Sequence, residues 1–185
     1  MVRSCARTGL SGAFVRPILV RPHKMRLWFS TLLILLAPLV AMAEEIFLES
    51  QNPVSKRFAV LEDNGSIAFL YLTEPGVPKP MKDAVVYMRV PPVDAVDWER
   101  IKKTGDTPML RKDLASPTAV IKNPKASEFK FKWSIDGESV AVLRDGQPLA
   151  FATVKERFGY SRAVSVSSPL ANAWDQARYA GLFGQ

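Results

Sequence analysis

Phe129-Lys130-Phe131-Lys132-Trp133-Ser134-Ile135-Asp136-Gly137 is the stretch that decides the fold. Apolar side chains at 129, 131, 133 and 135 alternate with Lys130, Lys132 and Ser134. That is the period of a strand with one face buried and one in water. Asp136-Gly137 then turns the chain. Residues 139–144 return, Asp145-Gly146 turns again, and residues 148–155 supply a third strand. Two Asp-Gly turns at this spacing predict an antiparallel meander. Residues 162–166 are a candidate for a further strand.

Upstream, an apolar run at 58–61 is followed by Glu62-Asp63-Asn64-Gly65 and a second run at 66–73. Asn-Gly between apolar runs predicts a type I′ hairpin, whose two central residues both need positive φ. Ile67, Phe69 and Tyr71 share one face of the second run, and Ala68, Leu70 and Leu72 the other. Apolar residues on both faces predict a central strand covered on both sides. Residues 44–57 read as a loosely held lead-in. Residues 74–82 hold three prolines and a glycine and read as a loop. Residues 84–90, rich in Val and Tyr, read as a strand ended by Pro91-Pro92.

Two helices are expected. Over 94–103, Asp94 is the candidate cap, Asp97 follows three residues on, and Lys102-Lys103 suit the end before Gly105. At the C-terminus, Ser168 caps, Pro169 takes the first helical position and Gly181 stops the helix. Leu170, Trp174 and Ala177 follow helical spacing, so this helix should dock through Trp174. Between the helices, residues 105–126 read as a long polar loop with a short strand near 119–122. The fold expected is one α+β domain: a mainly antiparallel sheet of five to seven strands with the C-terminal helix packed on one face.

The N-terminal 43 residues are excluded from fold reasoning. Residues 25–43 have the layout of a secretory signal peptide. Arg26 is basic, residues 27–40 are almost continuously apolar, and Ala41-Met42-Ala43 has the small-x-small form of a cleavage site. The apolar core is shorter than the ~20 residues a spanning helix needs. With no cysteine after the small residues, a lipoprotein anchor is excluded too. Residues 1–24, with five cations and no acid, read as a leader or as a start codon placed too early, with Met25 the true start. Cleavage after Ala43 leaves residues 44–185 as the single domain, periplasmic or secreted, with no stable membrane anchor. It also removes the only cysteine, Cys5, and the only histidine, His23.

These losses bound the chemistry. Ser-His-Asp and Cys-His mechanisms need residues the mature chain lacks, as do the usual Cys/His zinc, haem and iron–sulfur sites. No cofactor is expected. Of the 25 Lys and Arg, six lie in residues 1–43, where no acid does. The mature chain keeps 19 cations against 18 Asp and Glu, a net of +1. The compositional argument for nucleic acid disappears with the leader.

No motif supplies a catalytic set. Lys103-Thr104-Gly105 and Ser127-Glu128-Phe129-Lys130 resemble pieces of lysine-using serine acyl-transferases, but stand in the wrong order with no S-D-N. Glu62-Asp63-Asn64-Gly65 is a turn before it is a calcium loop. Trp133-Ser134-Ile135-Asp136-Gly137 occurs once, so it is a hairpin and not a propeller blade. Taken in order, Glu62-Asp63-Asn64-Gly65, Tyr71, residues 83–87, the 133–137 turn and Gly159-Tyr160-Ser161-Arg162 resemble a family of small uncharacterised bacterial proteins. That family has an E-D-x-G turn early, a W-x-x-D-G turn late and a G-Y-x-R segment after it. The chain departs from the pattern at Ser161, where the family carries cysteine. The resemblance brings no activity and no functional residue.

The expectation is a small exported binding protein, such as an immunity protein or inhibitor occupying the site of an envelope toxin or lytic enzyme. Its candidate partner-binding residues are Arg111, Lys112 and Asp113, at the centre of the long polar segment. The alternative is an envelope hydrolase working with a carboxylate pair drawn from Asp94, Asp97 and Glu99.

Overall fold

Residues 44–168 and 170–184 are described by a computed structural model. The segments read as leader, signal peptide and cleavage site lie outside the described residues. No helix among the described residues is long and apolar enough to cross a membrane.

The structure has two sheets, not the single sheet of five to seven strands expected from sequence. The first is antiparallel, in the order β1 (Ile46–Gln51), β2 (Phe58–Asp63), β3 (Ile67–Thr73) and β4 (Pro80–Met88). The second runs β5 (Phe129–Trp133), β6 (Ser139–Arg144), β7 (Gln147–Thr153), β8 (Tyr160–Ser161) and β9 (Asn172–Ala173). It is mixed, because β8 and β9 pair in parallel. The meander β5–β6–β7 is antiparallel as predicted.

The sheets share one core. Ala59, Leu61, Ala68, Leu70, Leu72, Ala84 and Val86 from the first meet Phe129, Val140, Val142, Ala150 and Ala152 from the second. Each Leu or Val so buried contributes about 1.5–3 kcal/mol of transfer free energy. One end of the pair is held by polar contacts. The buried Arg57 reaches Glu138 at 2.9 Å and donates to the Thr73 carbonyl, while Trp133 Nε1 donates to Ser50 Oγ at 3.1 Å.

β3 is the covered central strand the sequence predicts. Its Ala68, Leu70 and Leu72 enter the shared core, and its Ile67 and Phe69 enter a second cluster with Val85, Met88, Leu110, Ala119 and Val164. Over that second face lies the connection at 105–121. It is not the free polar loop expected. Parallel bridges join Met88 to Val120 and Val93 to Arg111, an antiparallel one joins Ala115 to Val164, and Leu110 is wholly buried.

Local geometry corrects several boundaries. The expected lead-in contains β1, paired with β2 along its whole length. Asp145-Gly146 has positive φ at both residues (49° and 81°), a type I′ turn. Between β2 and β3 only Gly65 has positive φ, so that turn is not type I′. Instead Asn64 Oδ1 accepts from the Ser66 and Ile67 amides and Asp63 Oδ1 from the Gly65 amide. β5 stops at Trp133, two residues before the alternation does, and Ile135 is 75% exposed. At Gly137 a Cβ would sit 2.4 Å from Asn52 Oδ1, so the turn closes against the β1–β2 loop only because the residue is glycine.

The first helix, α1, is Trp98–Thr104, shorter than expected and capped by Asp97 instead of Asp94. Gly105 ends it in the left-handed conformation. The second, α2, is Gln176–Phe183, capped by Asp175. Ser168 therefore does not cap it, Gly181 does not stop it, and Pro169 lies outside the described residues. β9 occupies positions expected to be helical, because its pairing with β8 outweighs a modest helix propensity. α2 docks on the second sheet, burying Phe183 beside Ala141, Phe151 and Tyr160. Trp174 precedes the helix and is half-buried. It meets Phe151 edge-on at 5.4 Å and carries Arg162 over its face at 4.2 Å.

Candidate partner-binding cleft

Three segments brought together by the 105–121 connection enclose a cleft of about 510 Å³. The first wall is Asp94–Trp98, the approach to α1. The second is Arg111–Leu114, and the third is Ser168 with Leu170. Backbone bonds fix their separation. The Val93 amide donates to the Leu110 carbonyl and the Lys112 amide to the Val93 carbonyl, at 3.0 and 2.9 Å. The Ser165 amide reaches the Leu114 carbonyl at 2.8 Å. A polar sequence is thus held as a wall, because Leu110 on its inner side packs against β3 and β4.

The lining is an apolar floor with a charged rim. Val96, Leu114 and Leu170 are half-buried, and Trp98, an amphipathic ring, is 50% exposed. Trp and Arg together are the side chains that most often anchor protein interfaces. The volume falls in the range of small-molecule and side-chain pockets, about 300–1,000 Å³.

The rim includes the residues singled out from sequence. Arg111 lines the cleft, and Lys112 and Asp113 follow it, all three exposed. Neither cation is free. Arg111 grips Asp113 with both guanidinium edges, its Nε at 2.9 Å from Oδ1, and Lys112 Nζ lies 2.8 Å from Asp94 Oδ1. Such exposed pairs contribute about 0–1 kcal/mol each, so a carboxylate from outside can displace Asp113 or Asp94 at small cost. Trp98 was missed from sequence. The cue in the sequence was a large aromatic in a helix candidate whose apolar spacing is irregular.

The carboxylates of the hydrolase alternative are differently employed. Asp97 accepts from the Arg100 amide as the α1 cap, Glu99 pairs with Lys102, and Asp94 pairs with Lys112. All three are exposed. Ser127 lies in a short 3-10 turn (Ala126–Glu128) and Lys130 projects outward from β5. The buried hydroxyl of Ser134 does meet a carboxylate, donating to Asp136 Oδ1 at 2.6 Å while accepting from the Ser139 amide. That hydrogen bond holds the Asp136 carboxyl below the usual carboxylate range. The same Asp136 oxygen accepts from the Glu138 amide at 3.0 Å, so the pair locks the turn. Among the described residues no group of three or more His, Cys, Asp and Glu is placed to hold a metal ion.

The most buried ion pair is structural as well. Asp63 and Arg89 meet at 2.7 Å beneath the surface, and the Tyr87 hydroxyl donates to the same Asp63 oxygen. Burial first, and the Asp63 carboxylate second, push the Tyr87 phenol far up. Comparison with protein-family models, curated proteins and solved structures finds no match.

Proposed function

We propose that this chain is an exported bacterial binding protein of the immunity or inhibitor type, acting in the periplasm or outside the cell on an envelope toxin or lytic enzyme. The observation that carries the reading is the half-exposed Trp98 on the apolar floor of a cleft, with Arg111 on its rim. The partner would insert an aliphatic or aromatic side chain against Trp98, Leu114 and Leu170, and offer a carboxylate that draws Arg111 or Lys112 from its internal partner. A binding wall held in place by backbone bonds keeps the entropic cost of association low. The signal-like 25–43 segment supports export, and the loss of Cys and His with it favours binding over catalysis.

The test uses W98A and R111E together, both at exposed positions, so that the fold is retained. Deleting 106–118 would not serve, because it removes the buried Leu110. Wild-type protein and double variant are exposed to envelope extract, and each captured protein is purified and assayed for wall-lytic or toxic activity. The expected result is one partner, inhibited by the wild type and neither captured nor inhibited by the variant. Equal capture by both sinks the cleft as the site. Wall hydrolysis by the protein itself, lost in D94N or E99Q, would establish the hydrolase alternative instead.

A further inference from the structure

The outer face of the first sheet is covered over only part of its width. The 105–121 connection, with Ala163, Val164, Leu170 and Ala171, closes over its β4 side, on Phe69, Val85 and Met88. Toward β1 and β2 none of the described residues closes over the face. Register sets Phe47 opposite Glu62, Glu49 opposite Val60, Val60 opposite Tyr71, and Tyr71 opposite Asp83. Carboxylates and apolar side chains therefore alternate along and across the strands. Phe47 is 65% exposed, and a cleft of about 370 Å³ lies between it, Val60, Tyr71 and the prolines Pro78 and Pro80.

Among the described residues the carboxylates on this face, Glu49, Glu62 and Asp83, have no cation paired with them. Burial, together with the negative charge of Glu62 and Asp83, holds the Tyr71 phenol above its ordinary value. The face is thus both apolar and negative. By contrast, each cation on the rim of the Trp98 cleft has a carboxylate beside it.

We infer that this open half-face docks a basic segment of a partner protein. Its lysine or arginine head groups lie between Glu49 and Glu62, and their aliphatic stems on Phe47, Val60 and Tyr71. Charge complementarity selects this occupant. Long cationic side chains bury their stems on apolar surface while the head stays solvated, and an aromatic ring beside a carboxylate attracts cations by both its face and its neighbour. The inference is independent of the Trp98 cleft.

The probe is blocked decalysine, titrated calorimetrically into protein expressed from the full reading frame, at about 20 mM salt, where surface charges are little screened. E49Q/E62Q should weaken binding about tenfold, as expected for two surface ion pairs of up to about 1 kcal/mol each. F47A should weaken it about threefold through the lost cation–aromatic contact. All three positions are exposed, so these variants fold. The control E99Q/D145N removes two charges elsewhere and should change affinity less than twofold. Equal weakening by the control, or unchanged binding by E49Q/E62Q, overturns the inference. So does the absence of decalysine binding with a neutral glycan oligomer bound at this face instead.

Discussion

Leu110→Ala tests whether the 105–121 connection is part of the fold or an arm laid over it. Leu110 is wholly buried among Ile67, Phe69, Val85 and Met88, beneath a segment whose sequence is mostly polar. Truncation removes three carbons, about 2.4 kcal/mol at about 0.8 kcal/mol per carbon. A residual cavity of roughly 60 Å³ adds about 1.4 kcal/mol at about 24 cal/mol per Å³. The expected loss is therefore about 4 kcal/mol, a large share of the ~5–15 kcal/mol that holds a domain together. Arg111→Ala, one residue away but exposed and paired with Asp113, should cost under about 1 kcal/mol. Urea unfolding followed by tryptophan fluorescence and far-UV circular dichroism measures both. The contrast between the two variants is the result to look for. A loss below about 1 kcal/mol for Leu110→Ala would falsify the packing argument. The connection would then peel from β3 and β4 freely, and the cleft it walls would not be rigid.

Asp63→Ala should cost about 3–5 kcal/mol, because it leaves Arg89 charged and buried and the Tyr87 hydroxyl without its acceptor; an equilibrium unfolding curve matching wild type would refute this. Trp174→Ala should cost about 2–3 kcal/mol, less than a fully buried ring, since Trp174 is half-buried between Phe151 and Arg162; calorimetry shows whether the melting temperature falls accordingly. All four tyrosines, Tyr71, Tyr87, Tyr160 and Tyr179, have phenols pushed up, chiefly by burial. The fold favours the neutral phenol, so this stabilisation is complete below the ordinary phenol value of about 10 and is lost as pH climbs beyond it. Tyrosinate absorbance should rise together with the loss of near-ultraviolet dichroism, and free titration at the ordinary value in a folded protein would contradict the burial.

Much of the strand content follows from sequence, because strand period and turn chemistry are local. Phe129, Phe131 and Trp133 face the core while Lys130 and Lys132 do not, and Asp145-Gly146 makes its type I′ turn where two residues of positive φ are required. The apolar faces of 67–72 likewise foretold a strand covered on both sides. What the strands pair with is not local. One sheet or two depends on which faces meet across long separations, and Leu70 carries no mark that it will share a core with Val140 and Ala152. β1 was invisible because an edge strand needs only Ile46 and Leu48 turned inward. β9 displaced helix because pairing with β8 outweighs local propensity. The cleft was legible only in part. Arg111, Lys112 and Asp113 stand out as charges in a polar run, but their ion pairs, and the approach of Trp98, required Val93 to bridge Arg111. Periodicity and turn residues determined which segments are strands; burial of Leu110 and the docking of distant segments decided where a surface could form, since tertiary packing sums contacts that no single window of sequence contains.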